Sequence, residues 1–502
     1  MKKSLNVSEY FLRTLPDALR ADRTPFLCAL TAGFLAHGFA FSNKLVNGDE
    51  LASLFSKGMT VASGRWGLEL SSFLFPDVSM PWIYGLLCLV MLAAAACLTL
   101  RIFRIEHPLL RAMLAALIPV FPSQTATFSF LFTSPSYALA FLLAVAAVWA
   151  SEREGWKGWL LGLLLLLLSV STYQAYIAVA SSFFVLRMLQ RLLRDEGSAR
   201  DVLLYGLKRL ALLAGMLAVY YVSVWVAKYF YGGIFETYGV EHDKSLLYRA
   251  AIAYSAFLHI FTRGYFMFIR GTFSQLLHLL GLGLTLWACL RWFLRVGDGK
   301  KRLLFLLCLL LFPLSIQCIY LIAEVGIITA MVLYSFVSVY VFAAVALESA
   351  DAPWGLPARR IAALSFALIA LGNAYFANAF YLKEHLDYEN AYAAYTGLAA
   401  QIRETPGFDA SCKIAVLGSA QEGLYRPEEL DMRELTGAST SLVDVYTREF
   451  LIRRYVGFDV PFADEAECFA LGKDPRVQAM PSYPYYGCVQ KIDDYIVVHL
   501  SN

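Results

Sequence analysis

The chain runs to 502 residues, 59% of them hydrophobic and only 16% charged, with a mean hydropathy of +0.57. Soluble domains average about 45–50% apolar and about 25% charged residues, so this balance belongs to an integral membrane protein. The net charge of +3 is scattered as Lys and Arg over short loops, which excludes a concentrated nucleic-acid-binding surface.

The first 23 residues are polar and basic, with Lys2, Lys3, Arg13, Arg20 and Arg23. The apolar run starts after Pro25 and no small-residue cleavage site follows, which predicts a retained first span rather than a removable signal. Residues 1–24 read as a cytoplasmic N-terminal helix. Within it Val7 to Arg20 suits either an interfacial helix, with Phe11, Leu12, Leu15 and Leu19 on one face, or an ordinary solvated one.

A helical span needs about 20 apolar residues. The pattern predicts about eleven: 25–42, 82–100, 109–122, 135–150, 157–171, 174–190, 208–230, 272–292, 303–322, 328–348 and 361–380. Basic residues collect in one alternate set of loops, around Arg101–Arg111, Arg153–Lys157, Arg187–Arg209, Arg291–Arg302 and Arg359–Arg360. The positive-inside rule puts that set, with the N-terminus, in the cytoplasm. Loops 43–80 and 231–271 are then exterior, and so is the region 381–502. That last region reads as a small α/β domain, with strands at Lys413–Gly418 and Tyr495–Leu500 and a helix from Leu442 to Val456. The fold class is a polytopic α-helical membrane protein with a small extracytoplasmic α/β domain.

Gly418 to Gly423 lacks both the Gly-Lys-Ser/Thr ending and the GxGxxG spacing, which argues against nucleotide binding. Six of the nine cysteines lie in apolar spans as small core residues; Cys468 and Cys488 could pair in an oxidising compartment. No Cys/His spacing resembles a zinc site.

The chemistry-bearing residues gather in the first exterior loop. Asp49 and Glu50 are adjacent, just past the first span, where ionisable side chains are rare and usually functional. Paired carboxylates at a water-facing edge suit general-base work; the bland alternative is a helix N-terminus capped by Asn47 or Asp49. Further along, Ser63-Gly64-Arg65-Trp66-Gly67 offers a guanidinium fork that suits a phosphate and an indole that can stack on a sugar. An Arg–Trp pair tying the loop to the headgroups explains the same run. Ser171-Thr172-Tyr173-Gln174-Ala175-Tyr176 lies at an exterior turn, as cavity lining or as the hydrogen bonds that close a hairpin. Arg263 and Arg270 are candidates for an anionic head group, and Glu324 is a lone carboxylate at a span end. Tyr483-Pro484-Tyr485-Tyr486-Gly487-Cys488 with Lys491 forms an aromatic, cationic patch suited to a glycan or simply to a folded tail.

Asn47–Glu50, Ser63–Gly67, Tyr173-Gln174-Ala175-Tyr176 and Pro484-Tyr485-Tyr486-Gly487 followed by Ile496-Val497-Val498 resemble the GtrII family of bacterial glucosyltransferases. That family is similar to the GT-C glycosyltransferases, many-span enzymes with an acidic motif in the first exterior loop. The resemblance implies transfer of glucose from a polyprenyl-phosphate donor to a surface polysaccharide, typically O-antigen, at a bacterial inner membrane. It makes Asp49 and Glu50 the acidic motif. On residue chemistry rather than on the resemblance, Arg65, joined by Arg263, would steady the leaving phosphate, and a single displacement would invert the anomeric centre. No cofactor is implied, although a divalent ion bridging carboxylate and phosphate stays open; partners would be the donor, the acceptor, membrane lipids, and a separate flippase and donor synthase. The rival readings are a lipid-linked glycan flippase, which would show pseudo-repeats and charges near mid-membrane, and an O-antigen polymerase or ligase using exterior Arg and His.

Overall fold

The computed structural model describes residues 20–58, 60–231, 244–263, 271–321, 329–350, 354–418 and 447–500. The N-terminal segment Val7–Leu19, Glu324, Arg270 and the polar residues His242 and Asp243 lie outside these. The chain divides into two compact units. One takes the residues up to Ser42 and Met59–Asn378; the other takes Asn43–Gly58 and most of the chain from Ala379 onward.

The first unit is helical. Its elements in chain order begin with α1 (Arg23–Ser42), and α2 (Gly48–Ala52) follows as an insertion that belongs to the second unit. Then come α3 (Trp66–Ser71), α4 (Pro81–Ile102), α5 (Pro108–Leu117), α6 (Pro122–Phe128), α7 (Ser134–Ser151), α8 (Trp156–Thr172) and α9 (Ile177–Leu193). The long α10 (Ala199–Tyr231), α11 (Leu246–Arg263), α12 (Gly271–Arg295), α13 (Gly299–Ile316), α14 (Val337–Glu348) and α15 (Gly355–Glu404) complete the series. Proline opens four of these helices, at Pro81, Pro108, Pro122 and Pro135, where its fixed φ and missing N–H carry no penalty. Asp298 caps α13 by accepting from the Lys300 and Lys301 amides.

Among the described residues, nine helices are long and apolar enough to cross a membrane, which makes this a membrane protein. The other two stretches expected from sequence are helices of a different kind. Residues 157–171 fall in α8, only 17 residues long. Residues 303–322 fall largely in α13, whose first turns carry Lys300, Lys301 and Arg302. Segment 231–271, read from sequence as loop, contains the 18-residue helix α11. Arg249, His259 and Arg263 dilute its hydropathy below that of a span, but its apolar residues still repeat at helical spacing.

Inside this unit α1 packs on α4 and α5, and α7 on α4 and α8. Lipid offers no hydrophobic drive between helices, so close approach and side-chain hydrogen bonds do the holding. A Cβ at Gly85 would come within 2.3 Å of the Phe41 ring, so only glycine lets α1 and α4 meet there. Ser169 Oγ donates to the Ala140 carbonyl at 2.7 Å, and Ser71 and Ser136 hydroxyls meet at 2.7 Å. Leucines such as Leu207, Leu210, Leu290 and Leu310 face outward, as lipid-facing surfaces do. Along the last turns of α10, Tyr221, Trp225, Tyr229 and Phe230 are exposed.

The second unit is α/β. It contains α2, the later part of α15, strands β1 (Lys413–Leu417), β2 (Val489–Ile492) and β3 (Tyr495–His499), and short helices α16 (Arg448–Arg454), α17 (Glu465–Leu471) and α18 (Pro475–Gln478). The sheet order is β1-β3-β2, parallel between β1 and β3 and antiparallel between β2 and β3. Alternation along the strands splits the core in two. Ile414, Val416, Ile496 and Val498 face Tyr395, Leu398 and Ile402 of α15, while Ala415 and Val497 face Val477 and Met480. Cys468 and Cys488 are free thiols, the first near the Ala463 carbonyl and the second near the Gln401 amide oxygen.

Glu467 pins the start of the parallel pair. It accepts from Lys413 Nζ at 2.6 Å, the Tyr495 hydroxyl at 2.8 Å and the Asp464 amide at 2.9 Å, and Lys413 and Tyr495 are register partners. The Lys413 hydrogen bond, then the Asp464 amide and the Tyr495 hydroxyl, hold its carboxyl down to about 2 from the ordinary 4.5. A depressed carboxyl stabilises the fold above its unfolded value and loses that contribution as pH falls through the folded value. Amide exchange in β1 and β3 of the full chain is therefore expected to quicken, relative to intrinsic rates, as pH drops from about 4.5 to about 2. Glu467→Gln should show the faster exchange already at neutral pH and flatten the acid response. An unchanged profile would remove Glu467 as the cause.

Candidate active site

The acidic doublet sits on α2, in the second unit. Asn47 supplies the cap: its side-chain oxygen accepts from the Glu50 amide at 2.9 Å. The capping role considered for Asp49 thus falls to its neighbour, and both carboxylates lie within the first turn. Their surroundings differ sharply. Glu50 is wholly buried and ion-paired to Lys44 Nζ, whereas Asp49 is half-buried. The far end of α2 is closed by Arg454, whose Nη1 donates to the Leu51 carbonyl at 2.5 Å and to that of Ala52 at 2.9 Å. Those carbonyls would otherwise lack partners at a helix end.

Apolar neighbours fix the short helix in place. Val46 and Leu51 join the core formed by Tyr395, Leu398, Leu451 and Ile452. Tyr455, just past α16, lies next to the doublet; burial first, then the Glu50 charge, pushes its hydroxyl up from the ordinary value. Its ring meets Tyr388 edge-on at 5.6 Å. Chemically, this gives one carboxylate locked by a cation beside a second that is less buried. Two like groups in unlike environments are the usual basis for dividing labour between them.

The Ser63–Gly67 run belongs to the first unit and is tied down on all sides. Arg65 Nε donates to Ser63 Oγ at 2.8 Å and Nη1 to the Tyr137 hydroxyl at 2.7 Å. Burial works against its charge, but the hydroxyls of Tyr137, Tyr173 and Tyr220 outweigh it, so the guanidinium is a fixed cation. Trp66 Nε1 donates to Ser223 Oγ on α10 at 2.9 Å. Gln174 donates to the Ser63 carbonyl at 2.9 Å and lies 3.1 Å from the Tyr220 hydroxyl, which itself bonds the Gly64 carbonyl. Tyr173 stacks on Tyr137, with ring centroids 4.2 Å apart. Its hydroxyl is buried without a partner among the described residues.

Gly67 decides whether this loop can close. A Cβ there would stand 2.5 Å from Thr172 Oγ1, 2.6 Å from Ser171 Oγ and 2.8 Å from the Ser171 backbone carbon. Side chains can turn aside; backbone cannot. Gly67→Val is expected to destabilise the protein by about 1–3 kcal/mol as an overpacked contact, read as a lower Tm in detergent. A Tm equal to wild type would refute the contact.

Of the residues singled out in sequence, Arg65, Trp66, Tyr173 and Gln174 come together in one unit, while Asp49 and Glu50 sit in the other. Arg263 is the last residue of α11, and its side chain lies outside the described residues. Lys491 is on β2 and donates to the Gly407 carbonyl at 2.6 Å, a structural tie within the second unit. In the aromatic patch near it Tyr485 and Tyr486 are exposed. Lys44, Tyr220, Ser223, Arg454 and Tyr455 emerge only from the fold, because each reaches its partner across a turn or a long stretch of chain. No group of three or more His, Cys, Asp or Glu side chains among the described residues is placed to hold a metal ion.

The model of the glucosyl transferase GtrII family matches residues 38–345, a stretch that contains the acidic doublet, the Arg65 loop and the Tyr173–Gln174 turn. No curated protein and no solved structure matches the chain. The match covers more than half of the sequence, and with it the chain belongs to the GtrII glucosyl transferase family.

Proposed function

We propose that the protein transfers glucose from a polyprenyl-phosphate donor to a surface polysaccharide such as O-antigen, at the periplasmic face of a bacterial inner membrane. Glucosyl transfer follows from the family; donor, acceptor and side of the membrane are the proposal. The observation that carries it is the contrast within the doublet, Glu50 buried and paired with Lys44 beside a half-buried Asp49.

Asp49 takes the proton from an acceptor hydroxyl. The oxygen then attacks the anomeric carbon, the bond from that carbon to the phosphate oxygen breaks, and polyprenyl phosphate leaves with the electron pair. One displacement inverts the configuration. Glu50, held by Lys44, fixes the turn that presents Asp49. Arg65 carries the chemistry suited to the leaving phosphate, because a fixed cation stabilises charge as it develops. Arg263 is assigned the same role on residue chemistry alone. Trp66, Tyr173 and Gln174 offer aromatic faces and an amide of the kind that recognise sugars, and Lys491 stands as a weaker glycan contact. A lipid-phosphate sugar already holds an activated bond, so no nucleotide fold is required, and a separate flippase and synthase would supply the donor from the cytoplasm.

The test uses purified protein, radiolabelled polyprenyl-phosphate glucose and a lipopolysaccharide acceptor. Label covalently joined to polysaccharide by wild type, and lost in a folded Asp49→Asn variant, supports the proposal. Label that crosses a vesicle without forming a glycosidic bond would favour a flippase instead.

A further inference from the structure

A second cluster lies far from the doublet in sequence and remains unexplained by glucosyl transfer. Glu152 follows the last turn of α7, and three arginines converge on it. Arg187 Nη2 lies 2.9 Å from one carboxylate oxygen and Arg191 Nη2 3.6 Å from the same atom, while Arg209 Nη2 lies 3.8 Å from the other. The Tyr205 hydroxyl also donates to Glu152, and Arg187 Nη1 donates to Gln190. One carboxylate neutralises one guanidinium; two positive charges remain.

These charges are largely withdrawn from water. The side chains of Arg187 and Arg209 are 4% and 11% exposed, and that of Arg191 is 28% exposed. Each of the three keeps a fully buried Nε–H without an acceptor among the described residues. The Tyr205 ring lies under Arg191 and Arg209, with centroid distances of 4.1 and 4.7 Å, which eases the cations but supplies no counter-charge. Around the cluster, Glu196 pairs with Arg104 and its charge also reaches Arg187, while Arg194 donates to the Arg104 carbonyl; Glu152 and Glu196 together face five guanidiniums, so the surplus stays positive. Buried charge of this kind calls for a partner with several acceptor oxygens, and guanidinium forks match phosphate.

The position identifies the source of that phosphate. Glu152 leads out of α7, Arg187 and Arg191 sit in the last turns of α9, and Arg209 in the early turns of α10. Trp156, exposed at the start of α8 one turn from Glu152, is the aromatic residue expected at headgroup level. We propose that Arg187, Arg191 and Arg209, gathered by Glu152, bind the phosphate of an anionic lipid headgroup at this end of the helices. The site is independent of the transfer reaction and stands or falls without it.

The full chain, purified in phosphatidylcholine nanodiscs, would be titrated with phosphatidylglycerol and followed by native mass spectrometry and thermal unfolding. Saturable retention of phosphatidylglycerol with a rise in Tm is expected. Arg191→Gln and Arg209→Gln, which leave the shortest pair to Glu152 intact, should each weaken retention about tenfold, as loss of a charged hydrogen bond does. Lys157→Gln, at the same end but outside the cluster, serves as the control and should bind as wild type. Equal weakening by Lys157→Gln, or no saturable binding at all, would overturn the site. A Tm rise given by inorganic phosphate alone would overturn the lipid assignment. Gel filtration of each variant before titration separates misfolding from lost binding, and Arg209→Lys, which keeps charge without the fork, should fall between wild type and Arg209→Gln.

Discussion

Asp49→Asn should cut glucosyl transfer by about 10²–10⁴-fold, the range a positioned general base contributes, with the fold intact. The substitution preserves size and shape, but it removes the negative charge and turns one acceptor oxygen into an NH2 donor, so the group can no longer take a proton. Asp49 is half-buried on a turn capped by Asn47 and closed by Arg454, and neither of those ties runs through its carboxylate. Glu50→Gln should behave differently. It breaks the ion pair with Lys44 in a fully buried place, so its effect should fall on stability and on how well Asp49 is presented, with residual transfer above that of Asp49→Asn. Transfer rates for the two variants, measured alongside Asp49→Glu, decide the matter. If Glu50→Gln is dead and Asp49→Asn active, the roles are reversed.

The second large effect is on stability. Lys44→Met takes away the ammonium beside a carboxylate that has no exposure. Breaking a buried pair from one side weakens the compensation of the charge that stays behind and costs up to about 3–5 kcal/mol. The Lys44 side chain is 24% exposed, so the lower end, about 3 kcal/mol, is expected. Replacing both partners, as Lys44→Met with Glu50→Leu, should recover most of the loss, because neither charge is then left behind. Thermal unfolding of the single and double variants in the same detergent measures this. A double variant no better than the single would show that the pair is not what the fold depends on there.

How much of this could be read in the sequence varies with the range of the interaction. Membrane class, most helices, and strands β1 and β3 were legible because they depend on local pattern: apolar runs, prolines at Pro81, Pro108 and Pro122, and the buried Ile-Ala-Val and Ile-Val-Val triplets. β2 escaped because it is only four residues long and exposes both Gln490 and Lys491, so no apolar alternation marks it. α11 escaped because its cations look like loop when hydropathy alone is read. The doublet itself stood out from residue type and place.

Its environment did not stand out. Lys44 lies six residues from Glu50, a spacing that no single regular element brings together. Arg65 meets Tyr137 across 72 residues and Trp66 meets Ser223 across 157, so these ties exist only once the helices have packed. For the same reason Glu152 looks in sequence like one more loop acid, and its three arginines like part of a topological charge bias.

The exposed aromatics on the last turns of α10 carry a consequence for where Arg65 can stand. Tyr and Trp settle at the boundary between acyl chains and water, and Tyr221, Trp225 and Tyr229 flank the positions, Tyr220 and Ser223, that hold Gly64 and Trp66. The depth of that guanidinium is thus geared to a ring-lined waterline rather than to its own short loop. Lipids with longer or shorter tails would reach that guanidinium through α10, whose tilt is one answer to a mismatch costing fractions of a kcal/mol per ångström.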